Sequence, residues 1–465
     1  MHLDASALTQ RAAITAALMI ALAGCSVPPA PRSATGPSMT SADPPPHSAP
    51  SSTAPPGAVP SDRTGRASPP RPASPTVAAI ERLQAAIGAD PAAADAQRDL
   101  GSALSQRVRE TADPSLYGPA LEAFETALRL VPDDARTLVG IAGVQLGKHE
   151  FADALAIATE AIERSPSLVA AHAARVDALV ELGRYDEADA AAGVMLGLAA
   201  DLTTLTRVSY LAELHGRLPA ALGAMRLAAE SPGLAPENSA YVSALIGNLL
   251  VVTGDRQAAA EAYQAGLALV PDHAPSLAGL GRLAVGAGRL DEAIARFERA
   301  AAVVPLPEYV LALGDAQAAA GRTEAARRSY DLARAEIQLF RAAGVVVDVD
   351  LALFEADHGD PAAALRDAVA AYDAAPTIRA ADARAWALHR LGRDRDAKPF
   401  VDEALRLGSR DPLLRSHAGA IEAALGDVTA ARRDLELALA TDPGFSATGA
   451  AESRRLLETL GVAPS

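Results

Sequence analysis

The side chains that could catalyse a reaction or hold a metal ion are few in this chain and are scattered along it. Its 465 residues include one cysteine, Cys25, and nine histidines. The histidines do not follow the spacings that place two metal ligands on one helix face. Asp348 and Asp350 could together touch a cation, but a solvated pair of charges is the simpler interpretation. The sequence therefore predicts no catalytic set, no metal site and no cofactor.

One glycine-rich run, with Gly279, Gly281, Gly286 and Gly288, has a superficial likeness to a phosphate-binding loop. Such a loop follows a β-strand and opens a helix. No strand-like segment precedes this run, and its glycines occupy positions that recur elsewhere in the chain. Helix packing is therefore the interpretation that the pattern favours.

The composition favours closely packed helices. About one residue in four is alanine, 50% of the residues are hydrophobic and only 3% are aromatic. Alanine is the best helix former, whereas sheets need β-branched and aromatic side chains. An all-α fold is therefore expected. The formal net charge of −15 argues against a nucleic-acid partner, because phosphate binding needs a basic surface.

A glycine recurs along the chain at spacings of 33, 34 or 38 residues. The eight glycines are Gly183, Gly216, Gly254, Gly288, Gly321, Gly359, Gly392 and Gly426. An alanine follows each of them by five residues, and the same alanine recurs further back at Ala154 and Ala120. A small residue lies seven positions beyond nearly every one of these alanines. A fixed period of this length indicates a repeat architecture.

This pattern resembles the tetratricopeptide repeat, a helix–turn–helix unit of about 34 residues. Ala274–Pro305 is the clearest copy: Gly288 ends its first helix, Phe297 fills the space between the helices, and Pro305 ends the second. The resemblance implies a right-handed α-solenoid of about ten hairpins, with a concave groove lined by the first helices. Extra residues are expected near 231–236 and 338–347, where the spacing lengthens to 38.

Five segments are expected along the chain. They are a lipoprotein signal peptide (1–25), a disordered tether rich in Pro, Ser and Ala (26–76), an N-terminal half-repeat helix (77–91), the repeat solenoid (92–443) and a C-terminal capping helix with a tail (444–465). The tether is inferred from composition, because it holds 15 of the 33 prolines and too little apolar surface to form a core.

The first 25 residues predict a membrane anchor. The apolar run Ala12–Ala23 is too short to span a bilayer but suits the core of a secretory signal. Leu22–Cys25 resembles the bacterial lipobox, which implies that Cys25 carries lipid such as palmitate. The solenoid would then be anchored to a membrane of the cell envelope, on its periplasmic or extracellular side. The alternative is an ordinary cleaved signal with a chance cysteine.

The resemblance also implies where a ligand would bind. In this family the residue six positions before the turn glycine faces the groove, and aromatic and arginine side chains are frequent anchors. That register and its neighbours give eight candidate groove residues: Asp177, Tyr210, Glu213, Tyr241, Asn248, Arg282, Asp315 and Trp386. For each of them the alternative is a merely solvated helix position.

Three functions remain open on this reading. The first is a membrane-anchored, non-enzymatic scaffold that binds a protein or peptide in the groove. The second is a periplasmic module that binds glycan or cell-wall material by stacking on Tyr210, Tyr241 and Trp386. The third is an accessory subunit of a membrane-bound enzyme or export complex. The sequence leaves the partner and the oligomeric state open.

Overall fold

A computed structural model describes residues 74–346 and 349–461. The signal peptide, the lipidation site Cys25, nearly all of the tether and Asp348 lie outside the described residues. Within the described ranges every regular element is a helix, with 22 α-helices and one short 3₁₀ helix, which confirms the expected all-α fold.

The helices follow one another with short connections. They are α1 Pro75–Ala89, α2 Ala94–Thr111, α3 Tyr117–Leu130, α4 Ala135–Gly147, α5 Phe151–Arg164, α6 Val169–Glu181, α7 Tyr185–Leu198, α8 Leu202–Leu214, α9 Leu218–Ala229, α10 Pro236–Val252, α11 Arg256–Leu269, α12 Ala274–Gly286, α13 Leu290–Val303, α14 Pro307–Ala319, α15 Thr323–Ala342, α16 Val349–His358, α17 Pro361–Ala374, α18 Ile378–Arg390, α19 Asp394–Ala404, α20 Pro412–Ala424, α21 Val428–Thr441 and α22 Gly449–Gly461, with the 3₁₀ helix Pro114–Leu116 between α2 and α3.

Helices α2 to α21 form ten consecutive hairpins that stack as an α-solenoid. The first helix of each hairpin, here called the inner helix, packs against its own second helix, the outer helix. Most inner helices also pack against the inner helix of the next hairpin. At the ends, α1 packs on α2 and α22 packs on α20 and α21. The terminal hairpins therefore do not expose their packing faces to water.

Small residues set the distance between helices. The repeated alanine of the outer helix, for example Ala293, is fully buried in nine hairpins and nearly so in the tenth. Two successive inner helices also hold an outer-helix ring between them. A Cβ atom at Gly247 or at Gly279 would lie 2.5 or 2.3 Å from the Tyr263 ring, so only glycine fits on either side of it.

The turn inside the hairpin needs a left-handed residue. Gly288 adopts a φ of 73°, as the sequence predicted, and six of the other seven recurring glycines also have positive φ. The first two hairpins lack this glycine, and Ala112 and His149 take its place with φ values of 54° and 62°. The geometry of the turn is therefore kept where the glycine is missing.

The solenoid is wound so tightly that successive turns of the superhelix touch. The Val346 N–H donates to the Lys148 carbonyl at 3.0 Å, and His149 Nδ1 lies 2.8 Å from the Val346 carbonyl. Likewise the Ile378 N–H donates to the Tyr185 hydroxyl at 3.1 Å, across 193 residues of sequence. Val346 belongs to the extra residues of the second long spacing, so this insertion supplies a contact between turns.

Further along the same line, glycines allow the backbones of two turns to approach. A Cβ atom at Gly183 would lie 2.6 Å from the Pro376 carbonyl oxygen, and one at Gly216 would lie 2.5 Å from the Gly408 carbonyl oxygen. Contacts between turns therefore recur along the wall of the superhelix.

The substitution Gly183→Ala tests this closure. We expect it to reduce the free energy of unfolding by more than the ~1–2 kcal/mol that a left-handed alanine costs, because its methyl group also meets Pro376. The matched control is Gly288→Ala, which has nearly the same φ and open space around the added Cβ. Denaturant unfolding measures the loss, and small-angle scattering measures the radius of gyration.

Only Gly183→Ala should enlarge the radius of gyration. Equal losses of stability in the two variants, with unchanged radii, would mean that the turns do not touch in solution.

Candidate functional site

The inner helices surround a cavity of about 2540 Å³. Residues of α1 and of all ten inner helices line it, so it is continuous along the solenoid. Pockets for small molecules usually measure about 300–1,000 Å³, so this cavity can hold a larger ligand.

One register of the repeat lines this cavity with great regularity. It is the residue 13 positions before the left-handed turn residue, near the beginning of each inner helix. Nine of the ten hairpins place that residue in the lining: Asp99, Arg136, Ala170, Thr203, Tyr241, Pro275, Glu308, Arg379 and Leu413. One repeating position of the sequence therefore supplies part of the cavity wall in nearly every hairpin.

Of the eight groove residues predicted from the sequence, some line the cavity in the structure and others do not. Asp177, Tyr210 and Tyr241 line the cavity. Glu213, near the end of α8, is half-buried and acts electrostatically on Tyr210. The remaining four lie between neighbouring inner helices, outside the cavity lining. Whether the first three contact a ligand stays a prediction.

Asp177 contributes to packing as well as to the cavity wall. Its Oδ2 accepts a hydrogen bond from Arg207 Nη2 at 2.5 Å, and the Arg207 side chain is 0% exposed. Arg207 Nη1 also donates to the Thr203 carbonyl at 2.8 Å. Burial raises the pKa of Asp177, and the positive charge of Arg207 opposes this shift. The pair joins α6 to α8 and so fixes two hairpins to each other.

Asn248 and Arg282 form the corresponding link between the fifth and sixth hairpins. Asn248 Oδ1 accepts hydrogen bonds from the Tyr263 hydroxyl at 2.7 Å and from Arg282 Nη2 at 2.5 Å. Tyr263 is the same outer-helix ring that the two glycines enclose. The Asn248–Arg282 hydrogen bond and the close packing of the Tyr263 ring therefore join the same two hairpins at the same point.

Asp315 is buried in the seventh hairpin. Its Oδ1 accepts a hydrogen bond from the Tyr330 hydroxyl at 2.9 Å and lies 3.4 Å from His358 Nε2 of the next hairpin. The carboxylate is thus occupied within the protein.

Trp386 is 2% exposed. Its indole N–H donates to Asp357 Oδ1 at 2.8 Å, and its ring stacks on that of His417 with 4.0 Å between centroids. The structure therefore corrects the expectation that Asn248, Arg282, Asp315 and Trp386 project into the groove. Each has a hydrogen-bond or ion-pair partner on its own or an adjacent hairpin.

Six side chains meet within the cavity, and we call them the axial cluster. They are Glu181, Tyr210, Tyr241, Glu308, Asp350 and Arg379. Arg379 Nη2 donates to Asp350 Oδ1 at 2.6 Å, and its charge also interacts with Glu181 and Tyr210. The charge of Glu308 interacts with Asp350 and Arg379. Helices of the first superhelical turn (α6, α8, α10) thus meet helices of the second (α14, α16, α18).

Five members of the axial cluster are half-buried, and the sixth, Tyr241, is buried. Burial, with a contribution from the nearby charge of Asp350, raises the pKa of Glu308 to about 8. Burial also raises the pKa values of Tyr210 and Tyr241 well above their ordinary value. Tyr241 is 6% exposed, and its hydroxyl has no hydrogen-bond partner among the described residues. This cluster is the most distinctive chemistry in the cavity.

Glu181, Glu308 and Arg379 are not among the residues that the sequence predicted for the groove. Glu308 and Arg379 share with Tyr241 the register 13 positions before the turn residue, and that register was the available signal. Asp350 was interpreted as a solvated charge beside Asp348. In the structure Asp350 pairs with Arg379 at the cavity wall, and its side chain remains 41% exposed.

The described residues include neither a metal-binding group nor a membrane-spanning helix. In residues 74–346 and 349–461, no three His, Cys, Asp or Glu side chains are grouped so that they could hold a metal ion. No helix in the same ranges combines the length and the apolar character needed to cross a membrane.

Comparison with known proteins agrees with the repeat pattern. Residues 115–168 and 278–339 match the family model described as tetratricopeptide repeat. The crystal structure titled YrrB, "a TPR protein with an unusual peptide-binding site", is 20% identical, with a TM-score of 0.28, and the match covers 39% of this chain and 93% of that one. A human IFIT1 dimer with PPP-AAAA is 14% identical, with a TM-score of 0.44, covering 68% of this chain and 73% of that one.

No curated protein matches the chain. Residues 115–168 and 278–339 match tetratricopeptide repeats, and the consecutive helix pairs of the described residues are consistent with an α-solenoid of such repeats.

The substitution Asp177→Ala tests the buried link between hairpins. It leaves the Arg207 guanidinium in a fully buried place without its carboxylate, which should lower the free energy of unfolding by about 3–5 kcal/mol. Urea unfolding followed by circular dichroism measures the change. The control Glu187→Ala breaks the exposed Arg184–Glu187 pair on the neighbouring helix and should leave the unfolding curve unchanged. Equal curves for the two variants would contradict the buried pair.

Proposed function

We propose that this protein is a non-enzymatic scaffold that binds an extended segment of a partner protein in its internal cavity. Tetratricopeptide repeats in general suggest protein–protein interaction. The observation that supports the finer proposal is the continuous cavity lined by all ten inner helices.

The character of the cavity wall suits a polypeptide. Apolar side chains such as Leu311 and Leu353 line it together with charged ones such as Arg379 and Glu308. An extended peptide points successive side chains to opposite sides, so it can present both apolar and polar groups to such a mixed wall. The volume is well above that of an ordinary small-molecule pocket, and this too favours a chain segment.

Binding of glycan by aromatic stacking has less support. Tyr210 and Tyr241 line the cavity, but Trp386 is enclosed between neighbouring inner helices and would have to leave its histidine and aspartate partners to stack on a sugar. Protein is therefore the ligand class that we propose.

We also propose that Cys25 is lipidated and that the solenoid is anchored to a membrane of the cell envelope, facing the periplasm or the extracellular side. The support is the lipobox-like sequence and the apolar run before it. A role as accessory subunit of a membrane-bound enzyme or export complex is compatible with such a scaffold.

Site-specific photocrosslinking tests the binding proposal. A photoreactive phenylalanine at position 210, on the cavity wall, should capture partner protein in the native cell envelope. The same residue at position 332 is the control, because Leu332 lies on outer helix α15 and is 51% exposed. Protease sensitivity of the product distinguishes protein from glycan. The proposal is wrong if both positions give the same products or if the product at 210 resists protease.

Metabolic labelling with an alkyne analogue of palmitate tests the anchor. The native chain should take up the label, and Cys25→Ala should lose it, because the thiol is the only one in the sequence. Ser26→Ala is the control and should stay labelled. Undiminished label on the Cys25→Ala chain would refute lipidation at this residue.

A further inference from the structure

The axial cluster carries an excess of negative charge. At neutral pH, with Glu308 mostly protonated, its charged members are the carboxylates of Glu181 and Asp350 and the guanidinium of Arg379. The charges that act on it from nearby are carboxylates on Asp177 and Glu213 and guanidinium groups on Arg207 and Arg282, and these balance each other. The middle of the cavity therefore favours a cation.

Tyr241 adds an observation that does not depend on this charge balance. The residue lines the cavity and is 6% exposed, and its buried hydroxyl has no hydrogen-bond partner among the described residues. A buried polar group without a partner is unfavourable, so native proteins almost always pair such groups. A phenol oxygen can accept a hydrogen bond from an N–H group, and an electron-rich ring also attracts cations.

We propose that the axial cluster binds the cationic side chain, lysine or arginine, of the segment that occupies the cavity. The ligand N–H groups donate to the Tyr241 hydroxyl and to the Glu308 carboxylate. This inference rests on the proposed function, because it specifies the partner that the scaffold takes.

An acidic ligand side chain fits the cluster less well. It would need Arg379, but that guanidinium already donates to Asp350 at 2.6 Å. It would also face the carboxylates of Glu181 and Asp350. The cluster therefore selects for positive charge by repelling negative charge as well as by attracting its ligand.

The protonation of Glu308 gives the inference a second readout. Its pKa of about 8 keeps this carboxyl mostly protonated at neutral pH in the empty cavity. The charged groups that face it are Asp350, which favours protonation, and Arg282 and Arg379, which oppose it. Tyr309 and Tyr241 lie beside it. A cationic ligand favours the ionised carboxylate, so binding should release a proton and strengthen between pH 6 and pH 8.5.

The test is a selection of random twelve-residue peptides, displayed on phage, against the detergent-solubilised full chain. We expect the enriched peptides to share a lysine or arginine at one position. One selected peptide, synthesised with and without that basic residue, is then measured by calorimetry. Its affinity should fall about 10- to 100-fold with Glu308→Gln and about 2- to 10-fold with Tyr241→Phe. Glu308→Gln should also abolish the pH dependence of binding.

The control variant is Glu292→Gln, the same change on the exposed face of outer helix α13, and it should leave the affinity unchanged. The two test substitutions keep the size of the side chain, and thermal unfolding checks that each variant is folded. If one does not fold, the other still tests the cluster.

The outcomes separate this inference from the proposed function. Enriched peptides that lack a common basic residue, or whose affinity is the same for Glu308→Gln, overturn the inference and leave the scaffold proposal standing. A common acidic residue overturns it as well. If no peptide is enriched over a column without protein, the scaffold proposal fails and the inference fails with it.

Discussion

The fold depends on how closely two helices can approach when almost nothing stands between them. The recurring alanine of each outer helix is buried at the centre of its hairpin, and glycines of successive inner helices leave just enough space for an aromatic ring such as that of Tyr263. A larger residue at these positions would move one hairpin relative to the next. Since each hairpin contacts mainly its neighbours, a shift between two hairpins would displace all the hairpins that follow and so change the path of the superhelix.

Close approach of the hairpins leads to a tightly wound superhelix, and tight winding changes the nature of its inner surface. In an open solenoid the inner helices present a solvated groove. Here successive turns meet along their backbones, as at Gly183 with Pro376, and the groove becomes a cavity. Burial in this cavity, together with the nearby charge of Asp350, raises the pKa of the Glu308 carboxyl to about 8, so this group holds its proton at neutral pH.

Much of the fold could be predicted from the sequence, because it depends on local rules that repeat. Gly288 adopts the left-handed turn, Ala293 and its equivalents are buried, and Phe297 packs between the two helices of its hairpin. The substitutes for the missing glycines, Ala112 and His149, were harder to foresee, because the surrounding structure imposes positive φ on residues that seldom adopt it.

The site was only partly predictable. The residues 6 and 13 positions before the turn lie on one face of the inner helix, because seven residues make nearly two helical turns. Which of them faces the axis depends on how neighbouring inner helices pack, and that is a long-range property. In this structure the middle of the helix, with Arg282 and Trp386, faces neighbouring hairpins, and its beginning, with Glu308 and Arg379, faces the cavity.

The contacts between turns also bear on how a ligand enters and leaves. Where Val346 bonds to Lys148 and Ile378 to Tyr185, the side wall is shut. A polypeptide can reach the axis there by threading one of its ends through the coil, or after the seam between turns has parted. The exchange rate of a bound chain is then limited by this threading or by the opening of the seam. A partner that makes only weak contacts with the cavity wall would therefore still dissociate slowly.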